Sequence, residues 1–296
     1  FFFKQKTAYE IRNCDWSSDV CSSDLTVPSV MGILNVTPDS FSDGGDLYRD
    51  HAIDLDALLR RAQAMVDAGA RLLDVGGEST RPGAEAVSEG EELDRVLTAV
   101  EALVARFDVI ISVDTSSPKV MTECARLGAG FLNDIRAFQR PGALEAAAKT
   151  GLPVCIMHMQ GEPSTMQRSP EYLDVMTDVR EFLKKRTAAC VGAGIDKDRI
   201  VIDPGFGFGK TAEQNFEMLA RLRELSAGPL PLLVGLSRKS MIASVLDRMP
   251  AERLHASVGL AMIAVERGAR ILRVHDVAAT VDALAMWGAL PRSRDE

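Results

Sequence analysis

From Thr26 onward the chain repeats one pattern: a short apolar run, a polar residue at its end, a turn, and an amphipathic helix. This alternation predicts parallel strands that are joined by crossover helices. The predicted strands are Val30–Asn35, Arg71–Val75, Val109–Asp114, Gly130–Asp134, Pro153–His158, Ile200–Asp203, Leu232–Ser237 and Ile271–His275. Eight such units close a barrel, so we predict an α/β protein with a (β/α)8 fold, the TIM barrel.

The predicted helices lie between these strands, and several are followed by a glycine that is typical of a helix end. They are Ala52–Ala68, Ser88–Ala105, Pro118–Leu127, Gly142–Lys149, Pro170–Val191, Ala212–Leu225, Glu252–Arg267 and Val277–Met286. A short extra helix is predicted within Ser237–Ile242, just after the seventh strand. Because no linker interrupts the later chain, we expect residues 26–296 to form one domain.

Residues 1–25 do not follow this pattern. They begin with three phenylalanines and continue as a polar, serine-rich stretch without helical or strand periodicity. The apolar start is too short for a signal peptide. The stretch resembles translated sequencing-adapter read-through, so we interpret it as a non-native segment and expect it to be disordered or wrongly packed.

Composition excludes several classes of partner. The formal net charge is −8, and no basic stripe is present to neutralise a phosphate backbone, so we expect no nucleic-acid partner. No apolar run approaches the length of a membrane span, and we expect no membrane partner. The five cysteines show neither a C-x-x-C pair nor metal-type spacing to histidine, which indicates free thiols in a reducing, cytoplasmic compartment.

Polar residues recur at the C-terminal ends of the predicted strands. They are Asn35, Asp74, Asp114, Asn133, Asp134, His158, Asp203, Ser237, Arg273 and His275. In a barrel these ends share one rim, where such folds place their sites. A helix cap or turn former is the competing interpretation of each residue, and for Asp74 and Asp134 it is as good as a functional one.

The most informative loop follows the sixth predicted strand and reads DPGFGFGK, from Asp203 to Lys210. Pro204 ends the strand, and three glycines let the backbone approach a bound group between the rings of Phe206 and Phe208. A carboxylate beside aromatic rings suits a planar, nitrogen-rich heterocycle. The loop is not a phosphate-binding P-loop, because Pro204 stands where its first glycine is needed. A glycine-rich turn with one capping aspartate remains the alternative for this stretch alone.

Two more loops, Thr37–Gly45 and Ser79–Gly83, are rich in glycine, hydroxyl groups and charge. In the second loop, Thr80 and Arg81 place a hydroxyl and a guanidinium where both can bind an anion. We predict that the two loops close over the rim and exclude water from the reaction.

Eight motifs then follow in order between about Val30 and the C-terminus: MGILNVTPDSFSDGG, VGGESTRPGA, ISVDTS, NDI, MHMQG, DPGFGFGK, GLSRKS and RVHDV. Together they resemble the dihydropteroate synthases, a pterin-binding family. The resemblance implies a (β/α)8 barrel that joins (7,8-dihydropterin-6-yl)methyl diphosphate to 4-aminobenzoate and releases diphosphate, on the route to folate. Sulfonamides compete for the aminobenzoate site in this family.

The resemblance also implies roles for residues that match the family's motifs. For the pterin ring they are Asp114, Asn133, Met157, Asp203 and Lys239. For the diphosphate they are Asn35, Thr80, Arg81, Arg273 and His275. For 4-aminobenzoate they are Thr80, Pro82, Phe208 and Ser240. Catalysis is implied for Asp114, Asp203 and Lys239, a Mg²⁺ cofactor is implied at Asn35, and the family suggests a homodimer.

The chemistry of these residue types fits their implied roles. Asp203 can accept two N–H bonds from an aminopyrimidine edge, and Lys239 can donate to a ring oxygen and nitrogen. Arg273 and His275 lie two apart on one strand, so their side chains share a face and can bind one anion. The free N–H groups at the start of the short extra helix, together with the Ser240 hydroxyl, suit a carboxylate. The resemblance implies that diphosphate leaves before the aniline nitrogen attacks, so no activated nucleophile on the chain is required, and none is found.

Alternatives remain for single residues and for the whole chain. Lys239 alone could be a solvated surface lysine or a Schiff-base lysine, and His275 alone could cap the next helix. A pterin-binding, corrinoid-dependent methyltransferase uses a similar barrel but would not need two anion-binding loops. A non-catalytic pterin-binding paralogue could lose Arg81, Lys239 or His275 while keeping Asp203, yet all four residues are present here.

Overall fold

The computed structural model describes residues 28–37, 47–49, 52–78, 87–161, 165–166 and 170–290. The predictions for residues 1–25 therefore lie outside the described residues. The same holds for both predicted closing loops, apart from Thr37, and for the three site residues of the second loop, Thr80, Arg81 and Pro82.

Eight parallel strands form the centre of the fold. They are β1 Ser29–Asn35, β2 Leu72–Gly76, β3 Ile110–Asp114, β4 Phe131–Asp134, β5 Val154–Met157, β6 Ile200–Asp203, β7 Leu233–Val234 and β8 Ile271–Val274. Neighbouring strands follow the order β6-β5-β4-β3-β2-β1-β8-β7. A parallel bridge between Ile202 and Leu232 joins β6 to the start of β7 and closes the ring. The predicted (β/α)8 barrel is confirmed.

Helices surround this barrel between successive strands. They are α1 Leu55–Asp67, α2 Glu89–Arg106, α3 Pro118–Leu127, α4 Ala143–Thr150, α5 Val175–Gly192, α6 Ala212–Ala220, α7 Arg223–Ser226, α8 Ser240–Leu246, α9 Leu254–Glu266 and α10 Val277–Gly288. Single turns of 3-10 helix occur at Lys197–Arg199 and Pro250–Glu252. The predicted extra helix after the seventh strand is present as α8, but it begins at Ser240 and not at Ser237, because Arg238 has a positive φ of 59°.

Helix α1 begins three residues later than predicted. Ala52–Ile53 pairs instead with Tyr48–Arg49 in a two-stranded antiparallel ribbon. The carboxylate of Asp54 then accepts a hydrogen bond from the backbone N–H of Ala57 at 2.9 Å and caps the first turn of the helix. A capping aspartate thus defines this boundary better than the apolar periodicity does.

Two other predicted helices are shorter or divided. Helix α5 begins at Val175, because the side chain of Asp174 caps it by accepting from the Thr177 backbone N–H at 2.7 Å. The predicted helix Ala212–Leu225 divides at Arg221, whose ψ of 11° leaves the helical range. The Arg221 guanidinium lies 2.6 Å from the Asp174 carboxylate and so ties the break to the start of α5.

Apolar side chains fill the barrel below the rim. The inward-facing cluster consists of Met31, Leu72, Phe131, Cys155, Val201, Leu233 and Ile271. A second, larger cluster packs the outer faces of the strands against the helices. Because the interior is filled, ligands can reach only the ends of the barrel. None of the described helices combines the length and apolarity that a membrane crossing needs.

Candidate active site

The C-terminal ends of β2, β3, β4 and β8 bring four polar side chains into one hydrogen-bonded group. The Arg273 guanidinium donates from Nε to Asp74 Oδ2 at 2.6 Å and from an Nη to Asp114 Oδ2 at 2.9 Å. Asn133 Nδ2 donates to the same Asp74 oxygen at 3.2 Å. We call Asp74, Asp114, Asn133 and Arg273 the guanidinium corner. Strand register builds it, because Asp74 lies beside Ser112 on β3, and Asp114 beside Asn133 on β4.

Asp74 is the interior member of the guanidinium corner. Its side chain is fully buried, and it also accepts from the Ser112 hydroxyl at 2.5 Å. With donors from Ser112, Asn133 and Arg273, its two oxygens are largely used within the protein. Asp74 therefore orients two predicted ligand-binding side chains, and the interpretation of it as a helix cap or turn former is wrong.

For Asp134, at the end of β4, the turn-former interpretation is correct. Its carboxylate accepts from the backbone N–H groups of Arg136 at 2.8 Å and Phe138 at 2.7 Å, and from the Ser116 hydroxyl. Burial raises the pKa of Asp134, and these hydrogen bonds oppose that shift. Its oxygens stabilise the turn that follows β4, as the turn-former interpretation predicted.

Asp114 reaches the rim together with Arg273: 15% of the Asp114 side chain and 21% of the Arg273 side chain are exposed. Burial raises its pKa to about 7, although the Arg273 guanidinium opposes the shift. Asn35 lies at the same edge, because a Cβ placed on Gly76 would be 3.7 Å from both Asn35 Oδ1 and Asp114 Oδ2. Two oxygen-bearing side chains thus border one space above β2.

The end of β6 forms a second group, in which Asp203 is the central residue. Asp203 Oδ1 accepts from the backbone N–H of Gly205 at 2.7 Å, and this is its only hydrogen bond to the part of the chain that the structure describes. Burial raises the pKa of Asp203 to about 6, and the Lys239 ammonium is among the groups that oppose the shift. Oδ2 is therefore left to accept from a ligand.

Glycine is required in the loop after Asp203 at two points. Gly205 has φ of +68°, and a Cβ there would lie 1.9 Å from the carbonyl oxygen of His158. Gly209 has φ of +62°, and its Cβ would lie 2.5 Å from the carbonyl oxygen of Gln160. The loop thus packs against the segment after β5 at backbone distance, which holds Phe208 over the rim. Asp203 also caps this glycine-rich turn through the Gly205 N–H, as the alternative interpretation predicted.

Lys239 faces the glycine loop from the other side of the rim. Its Nζ lies 4.2 Å from the centroid of the Phe208 ring, and among the described residues it makes no hydrogen bond. Burial lowers its pKa to about 8, the nearby Arg273 adds to the shift, and Asp203 opposes it. A cation placed over a ring and without a hydrogen-bond partner is available to a ligand. The solvated-surface alternative is wrong for this half-buried lysine.

The preceding residue, Arg238, fixes the course of the chain before Lys239. Arg238 has φ of +59°, which is unusual for a residue with a side chain. Its guanidinium donates to both oxygens of Asp276, at 3.0 and 2.5 Å, and its backbone N–H donates to the Ser257 hydroxyl at 2.9 Å. Contacts from α9 and from the loop after β8 thus offset the backbone strain. Ser240 follows as the first residue of α8 and is exposed.

His275, the residue after β8, is held by Ser237, which lies three residues beyond the end of β7. Ser237 Oγ accepts the backbone N–H of His275 at 3.2 Å and lies 2.9 Å from its Nδ1. The hydroxyl proton is then directed at Nδ1, which leaves an N–H at Nε2. Burial and the cations Arg238 and Arg273 lower the pKa of His275, so the imidazole is neutral. The helix-cap alternative is wrong, because the ring bonds to Ser237 and Asp276 is the N-cap residue of α10.

Comparison with known proteins identifies the family. The sequence model described as pterin binding enzyme matches residues 31–275. The dihydropteroate synthase of Escherichia coli strain K12 is 56% identical over 263 residues, which are 89% of this chain and 92% of that protein. The chain belongs to the dihydropteroate synthase family.

Solved structures agree with this assignment. A Yersinia pestis dihydropteroate synthase in a sulfonamide drug complex is 58% identical, with a TM-score of 0.85 over 89% of this chain and 94% of that chain. A Burkholderia cenocepacia dihydropteroate synthase complexed with 7,8-dihydropteroate is 49% identical, with a TM-score of 0.78 over 88% and 91% of the two chains. The family's barrel is therefore shared along nearly the whole of this chain.

Most predicted site residues of this dihydropteroate synthase family member meet on the rim. Met157, at the end of β5, is buried, and a Cβ on Gly205 would lie 3.3 Å from its side chain. The others that the structure describes are Asn35, Asp114, Asn133, Asp203, Phe208, Lys239, Ser240, Arg273 and His275. Their roles toward substrates stay predictions.

Sequence reasoning missed one pair of buried residues below the glycine loop. Lys210 was considered only for a P-loop, and His158 received no role beyond its place at a strand end. The structure joins Lys210 Nζ to His158 Nδ1 at 2.9 Å. A usable signal was present: a lysine that closes an apolar, glycine-rich loop has little access to water and needs buried acceptors.

Proposed function

We propose that this chain is a transferase that condenses (7,8-dihydropterin-6-yl)methyl diphosphate with 4-aminobenzoate, giving 7,8-dihydropteroate and diphosphate for folate synthesis. The observation that carries the proposal is the hydrogen bonding of the Asp203 carboxylate. One oxygen is fixed by the Gly205 N–H and the other is left for a ligand, at the rim that also holds Asn133 and Lys239. The family membership supports the same reaction.

The pterin ring would bind across the two groups of residues. Asp203 Oδ2 accepts from the 2-amino and ring N–H edge, and Lys239 donates to the opposite, oxygen-bearing edge. Asn133 uses Nδ2 to reach Asp74, so its Oδ1 and its second amide hydrogen remain for the ring. Met157 supplies an apolar contact for the ring face. Each of the three polar roles follows from an atom that the protein's own hydrogen bonds leave available.

The diphosphate would bind at the edge formed by β1 and β8. The Arg273 guanidinium has five N–H donors and directs two of them to Asp74 and Asp114, so others remain for an anion. His275 offers the neutral Nε2–H. Thr80 and Arg81, whose placement lies outside the described residues, complete this half of the site in the proposal.

A Mg²⁺ ion fits this edge by the chemistry of its donors. Magnesium takes oxygen ligands, keeps several waters, and is commonly shared between one or two protein groups and substrate phosphates. Asn35 Oδ1, beside Asp114 Oδ2 at the open edge of β2, is a ligand of that kind. The described residues contain no group of three or more His, Cys, Asp or Glu that could hold a metal. Asn35 would therefore hold Mg²⁺ on the diphosphate, where the ion neutralises the charge of the leaving group.

The 4-aminobenzoate would lie between the Phe208 ring and the start of α8. Ser240 is exposed there and can donate its hydroxyl to the carboxylate, with Thr80 and Pro82 completing the pocket in the proposal. This arrangement points the aniline nitrogen toward the methylene carbon of the pterin. A sulfonamide has the same aniline and a comparable anionic end, so it would compete for this space.

The reaction then proceeds by departure of diphosphate before attack. The methylene carbon–oxygen bond breaks, and the diphosphate leaves with the electron pair while Arg273 and His275 bind its charge. Asp114 and Asp203 stabilise the resulting pterin cation, and Lys239 holds the ring in position by its hydrogen bond to the oxygen-bearing edge. The aniline lone pair forms the new carbon–nitrogen bond, and the nitrogen releases one proton to solvent. The chain is not required to act as a nucleophile.

Assembly and location are further parts of the proposal. Exposed apolar side chains on or beside α9 and α10, which are Ile263, Met286 and Leu290, support a homodimer through the last helices. The free, buried thiols of Cys124, Cys155 and Cys190 support a cytoplasmic location.

The test is an assay with the purified chain. Dihydropterin-methyl diphosphate, 4-aminobenzoate and Mg²⁺ should yield dihydropteroate and diphosphate in equal amounts, and a sulfonamide should raise the KM for 4-aminobenzoate without changing kcat. Addition of a chelator should abolish turnover, and Mg²⁺ should restore it. Binding of the pterin without product formation would overturn the assignment in favour of a pterin-binding paralogue.

A further inference from the structure

The ammonium group of Lys210 lies beneath the glycine loop, where 3% of the residue is exposed. Its Nζ is 2.9 Å from the carbonyl oxygen of Gly205, 3.0 Å from that of Phe208, and 2.9 Å from His158 Nδ1. Three hydrogens on the ammonium thus meet three acceptors. The two carbonyls lie at the two ends of the turn Gly205–Phe208, so the Lys210 side chain bridges the ends of this turn.

His158 is positioned to be the third acceptor. Burial and the nearby Lys210 lower the pKa of His158 to about 2, so the imidazole is neutral and Nδ1 can accept. The ring packs edge-on against Phe182, with 5.0 Å between ring centroids. The His158 backbone N–H also donates to the Asp203 carbonyl oxygen at 3.0 Å. The histidine is therefore fixed to β6 by its backbone and to the loop through Lys210.

We propose that Lys210 and His158 form a positioning pair that holds the glycine loop, residues 205–209, in the conformation in which Asp203 and Phe208 reach their substrates. The inference rests on the proposed function, because it assigns Asp203 to the pterin and Phe208 to the aminobenzoate. Neither Lys210 nor His158 touches a substrate in this proposal.

Lys210 is linked to the Asp203 carboxylate through the backbone of one residue, Gly205. The Gly205 N–H donates to Asp203 Oδ1 at 2.7 Å, while the Gly205 carbonyl accepts from Lys210. The orientation of this glycine therefore decides which carboxylate oxygen faces the ligand. Gly205 has positive φ and packs against the His158 carbonyl. Hydrogen bonds at both its N–H, to Asp203, and its carbonyl, from Lys210, hold it in this conformation.

Lys210 is linked to the Phe208 ring equally directly, through the backbone of Phe208 itself. The Phe208 carbonyl accepts from Lys210, and the Phe208 ring lies beneath the Lys239 ammonium. Between the two carbonyls, the Gly207 N–H donates to Asn215 Oδ1 at 2.7 Å, so a second side chain anchors the middle of the loop. The pair and Asn215 together account for the conformation of a loop that glycines alone would leave free.

Lys210 can hold the loop whether or not its amine is protonated. Burial and the neighbouring Lys239 ammonium lower the pKa of Lys210 to about 7, while the Asp203 carboxylate opposes the shift. The nearby Tyr172 hydroxyl is occupied, because it donates to the Gly209 carbonyl at 2.8 Å. A neutral amine keeps two hydrogens, so both loop carbonyls are served in either protonation state.

The test compares Lys210→Met, His158→Leu and His158→Asn with the unchanged chain. Methionine keeps the length of lysine without its donors, and asparagine offers a carbonyl oxygen near the place of Nδ1, which leucine lacks. We expect K210M and H158L to lose roughly 10- to 100-fold in kcat/KM, as misplaced binding groups do. The KM values of both substrates should rise. H158N should recover most of the loss, and K184M, at a lysine with 76% of its side chain exposed, should match the unchanged chain.

Hydrogen exchange without substrates supplies a readout that does not depend on the reaction. The amides of Gly205, Gly207 and Phe208 should exchange faster in K210M and H158L, and near the original rate in H158N. Peptides from β3 should be unaffected, which separates a local change in the loop from general destabilisation.

Two results would overturn the positioning pair. The first is a folded K210M whose kcat/KM and loop exchange rates both lie within about twofold of those of the unchanged chain. The second is an H158N that recovers neither kcat/KM nor slow loop exchange relative to H158L. If K210M does not fold, the two His158 variants decide. If the unchanged chain makes no dihydropteroate, the proposed function fails, while hydrogen exchange still tests the pair.

Discussion

The guanidinium corner and the glycine-loop side of the rim both present carboxylates at strand ends, but they compensate the negative charge differently. In the corner, Arg273 bonds directly to Asp74 and Asp114. On the loop side, Lys210 and Lys239 lie near Asp203, yet the only hydrogen bond that its carboxylate accepts from the described residues comes from the N–H of Gly205. The first arrangement is closed by ion pairs, whereas the second leaves a carboxylate oxygen for a ligand.

This difference shows why residue type at a strand end does not define a role. Asp74 and Asp134 are both fully buried, and protein donors occupy them. Asp203 is nearly as buried, at 5% exposure, but keeps one oxygen available. A buried acceptor without its partner costs free energy that a ligand donor can recover. We therefore expect variants on the two sides to separate effects on stability from effects on binding.

The largest effect should follow from Arg273→Met, compared with Lys239→Met. R273M leaves the fully buried Asp74 without its cation, which should lower the free energy of unfolding by about 3–5 kcal/mol. K239M removes a cation that lies over the Phe208 ring and makes no ion pair with the described residues, so the loss should be below about 2 kcal/mol. Denaturant unfolding measures both. Equal losses would break the comparison, because Lys239 would then belong to an ion pair as Arg273 does.

The pH dependence of stability should reveal Asp203. Its folded pKa, about 6, lies above the ordinary value of 3.8, so the folded state binds its proton more tightly than the unfolded state does. This contribution to stability is fully present below about pH 4 and is lost as the pH rises through about 6. Relative to D203N, the unchanged chain should gain at most about 3 kcal/mol between pH 7 and pH 4. A constant difference across that range would show that burial does not disfavour the carboxylate.

A smaller effect, on binding, should separate Asp203→Asn from Asp134→Asn. D203N turns an acceptor into a donor that faces the ring N–H, which should weaken pterin binding by roughly 1–3 kcal/mol. D134N should lower the thermal midpoint instead and leave the pterin KM unchanged, because within the described part of the chain the Asp134 carboxylate bonds only to its own turn and to Ser116. Calorimetric titration with a pterin analogue measures the first effect. Near-original affinity in D203N would remove Asp203 from its assigned role.

Much of the fold and the rim was predictable from local pattern. Eight apolar runs with polar ends predicted the closed barrel, because a period of two, a capping residue and a glycine stop are each properties of a few neighbouring residues. The start of α1 was wrong, since the Ala52–Ile53 ribbon depends on pairing with another segment. The motifs also placed Asn133, Asp203 and Arg273 at strand ends, where the structure has them.

What the sequence by itself determined is therefore the set of residues at the rim and the face on which each side chain lies. Only the tertiary structure decided their partners. Arg273 reaches Asp74 across 199 positions of the chain, and Lys210 reaches His158 across 52. Strand alternation tells which way a side chain points, but its neighbour depends on strand order and register, which are set when the barrel closes. That is why four aspartates at or near strand ends came to have different roles.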